Sequence, residues 1–561
     1  MKVKKLNLPL IIILVFSFLI RIYKIDNLSL FGDEIDVGYQ AFSLLQTGRD
    51  YKGNFLPLYI QSLSESRAPL LIYLTIPGIK IFGLNQTGVR FLPIICGTLS
   101  IYLFYKLIFL LSKSSKLSLT SAVCLSLMPW HFHYSRSTFE VTLLLSLILS
   151  ATYLTFKFLS SSKNKYLYFA VILFCLSFYT YNTANVFVPS IVILIFFINF
   201  KDFISKINLK NFLLSLLIFL CLTLPLIYQI LFGPAANRFN LLSIFHDQTL
   251  IDNIINKRTS FSSSNQITES IFHNKPIAWS KTFIQNYLNS FSPSFIFILG
   301  DQINFRHTIP DFGLVFLVFL PLILKGLFCL NLKDKLNQLM LFWLLLSPIA
   351  ASLTTNGGTH ATRLFLMTVP LAFFAALGFI QILNYQNLWS KIFITLVSLT
   401  LTFEVTAYSH EYFVHYPKDF SYLWNFGYQE LFSQIPVKSS SRLFISNSNF
   451  NSLLPFLFYQ KIPPQDLSLI QDTENNNIIK NTSGFKLTDK IYFINNWRHQ
   501  NEIFNKINEI AQTGDTFVLF QLNEIPGNMN LAIQSPLINF KVIRVVFNPN
   551  GSILGQIIQK Q

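Results

Sequence analysis

Five stretches rich in charge interrupt an otherwise apolar chain. FGDEIDVGYQAFSLLQTGRD, residues 31–50, opens with Asp33, Glu34 and Asp36. SESRAPLLIYL carries Arg67. HFHYSRSTFE, residues 131–140, holds His131, His133, Arg136 and Glu140. GDQINFRHTIPDFG, residues 300–313, holds Asp301, Arg306 and His307. GGTHATR, residues 357–363, holds His360 and Arg363. A carboxylate within hydrogen-bond reach of a hydroxyl or amine takes its proton. Guanidiniums grip phosphate oxygens in pairs and stabilise charge as it builds on a leaving group. Brought into one polar cavity, these groups suit transfer chemistry on a phosphate-bearing substrate.

Each stretch also has a plainer reading. Carboxylates just past a helix end are often only solvated, although acids near a membrane are costly unless they face water or a partner. Arg136 and Arg363 suit headgroup anchoring. His131 and His133 sit beside Trp130 and Tyr134 in an aromatic-belt composition. No HExxH occurs, so no zinc-protease motif is present. The sequence requires no cofactor. A divalent metal on His307 and His360 with an acidic partner is compatible with the residue types, and the metal question stays open.

The elements that position these residues are membrane helices. Of 561 residues, 52% are hydrophobic and 12% charged, with 59 Phe. Soluble domains carry about 25% charged residues. The net charge of +17 comes from Lys and Arg gathered in short loops, the pattern that orients membrane proteins; it does not point to nucleic acid. The five Cys lie in apolar runs without a CxxC spacing, which excludes a zinc ribbon or dithiol motif.

Lys2, Lys4 and Lys5 place the N-terminus in the cytoplasm, ahead of a retained first helix from about residue 8 to 23. Residues 69–83 are short for a span and carry Pro77, Gly78 and Lys80, so they read as an interfacial helix in the first outside loop. A genuine span there would reverse every later loop. With the interfacial reading, the loops at 113–116, 163–165, 201–210 and 325–335 all carry Lys and fall inside. The five charged stretches fall outside. About eleven spanning helices result, each near the length the bilayer demands, and the chain is multi-pass in the cell inner (plasma) membrane.

From about residue 409 the apolar runs shorten. RLFISNS (442–448), KIYFINN (490–496), TFVLFQL (516–522) and FKVIRVV (540–546) read as strands, and NEIFNKINEIAQTG (501–514) reads as a helix. The predicted architecture is an all-α polytopic membrane domain over 1–430 followed by a small α/β extracytoplasmic domain over 431–561.

The charged stretches resemble a known family: the bacterial polyprenyl-phosphate-sugar-dependent glycosyltransferases of the C-type membrane fold, in the protein O-mannosyltransferase and lipid A aminoarabinose transferase group. The resemblance covers roughly residues 1–430. It rests on Asp33-Glu34, on Arg67 before Pro69-Leu70-Leu71, on FGLNQTGVRFLPIICG (82–97), on PWHFHYSR with Glu140, on GDQINFRH and on His-Ala-Thr-Arg at 360–363. It implies that Asp33 is the catalytic base with Glu34 beside it, and that Arg67 contacts donor phosphate. Two departures stand out. The family's frequent Lys-Pro-Pro is Arg-Ala-Pro here, which keeps charge but changes geometry, and Glu140 stands where Asp is frequent. Arg136 and Arg363 are further candidates for the donor phosphate, and Arg306, His307 and His360 for substrate.

The expected function is an inverting glycosyl transfer from a polyprenyl-phosphate sugar to an extracytoplasmic acceptor, be it lipid, glycan or protein. The partners are that donor, that acceptor and membrane lipid. Two other classes stay open: a transporter or flippase of lipid-linked sugars, which needs polar groups at mid-membrane and broken helices, and a non-catalytic assembly subunit of the cell envelope.

Overall fold

A computed structural model describes residues 7–62, 66–232, 242–259, 270–447, 452–464, 477–479, 482–495, 507–520, 539–549 and 551–561. The chain opens with α1 (Leu8–Ile22), α2 (Gly32–Thr47) and a two-stranded hairpin, β1 (Ile60–Gln61) and β2 (Ser66–Arg67). There follow α3 (Leu70–Phe82), α4 (Gln86–Ser112), α5 (Ser115–Leu127), α6 (Pro129–Tyr134), α7 (Glu140–Ser161), α8 (Asn164–Ser177), α9 (Ala184–Ile198), α10 (Phe200–Lys206) and α11 (Leu209–Phe232).

Contacts divide the chain into two compact units. The first comprises 1–23, 58–71 and 90–412, and the second 24–57, 72–89 and 413–561. The second unit therefore draws in segments that a division at 430/431 leaves with the membrane part.

Among the described residues, six helices are long and apolar enough to cross a membrane, or seven if the pair α9 and α10, bent by 84°, is one span. Four shorter apolar helices accompany them: α3, α5, α8 and Phe319–Phe328. The chain is a multi-pass membrane protein, and length alone certifies fewer spans than the eleven expected from charge. Some helices start at a side-chain cap. Ser114 Oγ accepts from Leu117 N at the head of α5, Asp334 Oδ1 from Leu336 N before Lys335–Ser352, and Asn387 Oδ1 from Ser390 N before Leu388–His410. Each satisfies a backbone donor that the helix leaves orphaned.

Inside the first unit, small residues allow one close helix approach. A Cβ on Gly378 would lie 1.9 Å from Leu322 O, and one on Gly326 would lie 2.1 Å from Phe374 O. The helices Phe319–Phe328 and Thr368–Leu383 thus pack backbone against backbone, as membrane helices do where small residues allow. Buried tryptophans close their polar edges on carbonyls: Trp343 Nε1 donates to Leu366 O, and Trp130 Nε1 to Ala361 O.

The second unit contains a seven-stranded mixed sheet in the order β4-β5-β6-β3-β7-β9-β8, built from β3 (Leu443–Ser446), β4 (Asn477–Ile479), β5 (Thr482–Thr488), β6 (Ile491–Ile494), β7 (Thr516–Phe520), β8 (Phe540–Phe547) and β9 (Ile553–Lys560). β3 runs parallel to both β6 and β7; the other pairs are antiparallel. β3 and β7 are buried along their whole length, as central parallel strands must be. β8 closes one edge with Lys541 and Arg544, charges that blunt an open ladder. Phe444, Ile494, Ile510, Phe517, Leu519 and Ile558 fill one face. All four expected strands are present. β9 is an addition, as are β4 and β5. Of the expected helix at 501–514, residues 501–506 lie outside the described residues and 507–510 are helical.

Candidate functional site

In the second unit, Asp33 and Glu34 stand in the first turn of α2, where the helix dipole favours negative charge. The sequence suggested only a loop here. The helix forms because Glu34 Oε2 accepts from Phe31 N at 3.4 Å and Gly48 ends it in a left-handed conformation, φ +69°. Asp33 is exposed, whereas Glu34 is fully buried. Asp36, also buried, accepts from Tyr51 OH at 2.8 Å. α2 is seated by the C-terminal quarter of the chain. A Cβ on Gly38 would lie 2.7 Å from Phe458 Cε2 in the helix Leu453–Tyr459, Tyr39 OH donates to Ile462 O at 3.2 Å, and Phe31 packs edge-on against Trp424.

The remaining stretches lie in the first unit. Arg67 is buried on β2, in register with Ile60, and its Nη1 lies 3.7 Å from Glu140 Oε1 at the head of α7. Arg136 Nη1 donates to three carbonyls at the end of α1: Ile20 O, Arg21 O and Tyr23 O, each at 2.8 Å. A guanidinium among the last carbonyls of a helix is a strong C-terminal cap. Its plane also lies over the rings of Phe132 and Tyr412. The nitrogen thus committed serves α1, a use the residue's sequence position did not reveal.

The histidines divide into two kinds. His131 Nδ1 accepts from Arg21 Nη2 at 3.0 Å, because a guanidinium only donates, so Nε2 carries the proton and donates to Ser100 Oγ at 2.8 Å. His133 Nε2 donates to Arg306 O at 2.7 Å. Burial pushes the His133 imidazole down to about 4, with Arg136 adding to the effect, and burial beside Arg21 holds His131 well below its ordinary range. Both are neutral framework residues.

His307 and His360 are different. Their rings lie 5.3 Å apart, with Tyr134 and Phe139 against His307. Asp301 joins them: one ligand atom from each of Asp301, His307 and His360 lies within 4.8 Å of the others. Asp301 Oδ2 accepts from Ala361 N at 3.0 Å, and Oδ1 from Ile303 N and Asn304 N at 3.2 Å. Burial raises its carboxyl pKa, against the pull of those amides and Arg363. Burial holds His307 well below its ordinary range and takes His360, next to Arg363, down to about 3. Arg363 Nη1 donates to Thr354 Oγ1 at 2.6 Å and Thr355 O at 2.9 Å. Tyr134 OH, bonded to Thr362 Oγ1 at 2.8 Å, and Tyr412 were absent from the expected site and carried no sequence signal beyond their aromatic type.

Known proteins match this chain in two ways. Residues 66–228 match the family described as dolichyl-phosphate-mannose-protein mannosyltransferase. Among solved structures, ArnT from Cupriavidus metallidurans bound to undecaprenyl phosphate aligns over 98% of this chain and 97% of its own, with TM-score 0.51 at 10% identity. The oligosaccharyltransferase of Archaeoglobus fulgidus in its apo form aligns over 80% of this chain and 64% of its own, with TM-score 0.44 at 13% identity. No curated protein matches the chain in sequence. The chain is thus a membrane protein that carries the dolichyl-phosphate-mannose-protein mannosyltransferase family match over residues 66–228 and the fold of ArnT over nearly its whole length.

Proposed function

We propose that the chain transfers a sugar from a polyprenyl-phosphate carrier to an acceptor on the extracytoplasmic side, with inversion at the anomeric carbon. The observation that carries this reading is the family match over 66–228, within which fall Arg67, Arg136 and Glu140. The ArnT structure of the same fold holds undecaprenyl phosphate, a carrier of the proposed class. The proposed topology of eleven crossings counts the bent pair α9 and α10 as one span and adds α5, α8, Phe319–Phe328 and Lys335–Ser352 to the six helices that are long and apolar enough among the described residues. In that topology the charged stretches and residues 431–561 lie outside.

The balance of the step is simple. The acceptor hydroxyl or amine attacks the anomeric carbon as the bond to the phosphate oxygen breaks. The acceptor proton passes to a carboxylate, and polyprenyl phosphate leaves with the electron pair. Asp33 is assigned the proton, since it is exposed at a helix head while Glu34 is buried and bonded to Phe31 N. Glu34, with Asp33 orienting it, and Glu140, paired with Arg67, are the alternative carboxylates. Arg67 and Arg363 are assigned to the donor phosphate. Arg136 joins them with one nitrogen already committed to α1. Arg306, His307 and His360 are assigned to substrate binding.

Incubation of the purified protein with a panel of polyprenyl-phosphate sugars and candidate acceptors tests the reading. Release of polyprenyl phosphate from one donor is the expected result. No donor consumed across the panel, with transbilayer movement of the same lipids in proteoliposomes, would replace it with the flippase reading.

A further inference from the structure

The cluster of buried Asp301 with His307 and half-buried His360 has the composition of a metal centre, and a metal held there would replace the direct substrate contacts assigned to the two histidines above. We propose that these three side chains bind one divalent transition-metal ion of the zinc class, leaving a coordination position open to water or an anionic oxygen.

Four observations carry this. First, the ligand atoms converge within 4.8 Å. Zinc sits about 2.0–2.1 Å from nitrogen and oxygen ligands, so its tetrahedral ligands stand roughly 3.4 Å apart, and side-chain movements of about 1 Å complete the site. Second, His360 Nδ1 is buried and has no hydrogen-bond partner among the described residues. A buried ring nitrogen left so is costly, and a metal ion provides the missing partner. Third, the other two ligands are already oriented. Asp301 is gripped by the amides of Ile303, Asn304 and Ala361 and retains further lone pairs. His307 Nδ1 faces Thr362 Oγ1 at 3.4 Å, which is itself tied to Tyr134 OH, and this leaves Nε2 for a metal. Such outer contacts fix the ring of a ligating histidine. Fourth, the turn carrying Asp301 is closed: a Cβ on Gly300 would lie 2.0 Å from Thr308 Oγ1.

The donor set selects the ion. Two imidazoles and one carboxylate suit zinc and its neighbours, whereas magnesium and calcium prefer oxygen. Three protein ligands make an open site of the catalytic kind, since structural zinc sites carry four. Arg363 and Arg306 place positive charge nearby, which disfavours a bare dication. Asp301 and an anionic oxygen in the open position offset it.

Full-length protein in detergent, stripped with a chelator and titrated with zinc against a fluorescent chelator, tests the proposal. About one zinc per chain is expected. His307→Ala and His360→Ala should each weaken binding at least about tenfold, the low end of what changes around such sites cost. His246→Ala, an exposed histidine elsewhere, should leave it unchanged. Cobalt in place of zinc should give visible absorption bands that His360→Ala removes. Should the variants fail to fold, zinc-edge X-ray absorption on the wild type reads two imidazole ligands directly. No zinc retained by wild type, wild-type affinity in both His variants, or an absorption spectrum without imidazole scattering would overturn the site.

Discussion

Arg67 and Glu140 meet as an ion pair, Nη1 3.7 Å from Oε1, linking the hairpin β1–β2 to the head of α7. Both are largely withdrawn from solvent. Glu140→Gln leaves the guanidinium without this carboxylate and should destabilise the protein by about 1–3 kcal/mol. The double variant Arg67→Met/Glu140→Leu should melt closer to wild type than either single change, because replacing a buried pair with apolar groups is often neutral. Thermal melts in detergent give the comparison. Additive losses in the double variant would show that the two residues do not depend on each other.

Arg136→Ala removes the two Nη1 hydrogens shared among three carbonyls at the end of α1. The loss should be about 3 kcal/mol or more. Amide hydrogen exchange over residues 20–24 should accelerate before the rest of the chain responds. Unchanged exchange there would assign Arg136 to ligand binding alone.

Asp33→Asn keeps size and removes the proton acceptor. Turnover should fall about 10²–10⁴-fold, with donor affinity retained. Glu34→Gln disturbs the bond to Phe31 N and should lower stability as well as rate. Near-normal turnover in Asp33→Asn, with collapse in Glu140→Gln, would move the base to α7.

Gly378→Ala places a methyl 1.9 Å from Leu322 O. Helices cannot part locally without losing the neighbouring contact at Gly326, so the cost should be about 1–3 kcal/mol. Thermal melting measures it, and an unshifted melting temperature would mean the helix pair separates freely.

Ser439→Cys, at an exposed position in the second unit, should react with an impermeant thiol reagent in intact cells. Lys116→Cys should react only after permeabilisation. The reverse pattern would invert the topology derived from loop charge.

Much was legible without coordinates. Apolar run length and Lys-bearing loops mark a multi-pass protein, because a bilayer imposes both rules locally along the chain. Four strands were readable from 409 onward because their apolar runs are short and β-branched. α2 was not: its acidic opening looks like a loop, and what stabilises it is a cap from Glu34 together with packing from Phe458 and Trp424, hundreds of residues away. The charged stretches were visible as candidates, but their uses were not. Sequence gives Arg136 and Arg67 the same chemical type; tertiary structure sends one to helix carbonyls and pairs the other with Glu140. It likewise separates His131 and His133, saturated by Arg21, Ser100 and Arg306, from His307 and His360, which meet Asp301. Residue type and local spacing determine what a side chain is able to do, while partners brought in from distant segments decide which of its donors and acceptors remain for a ligand.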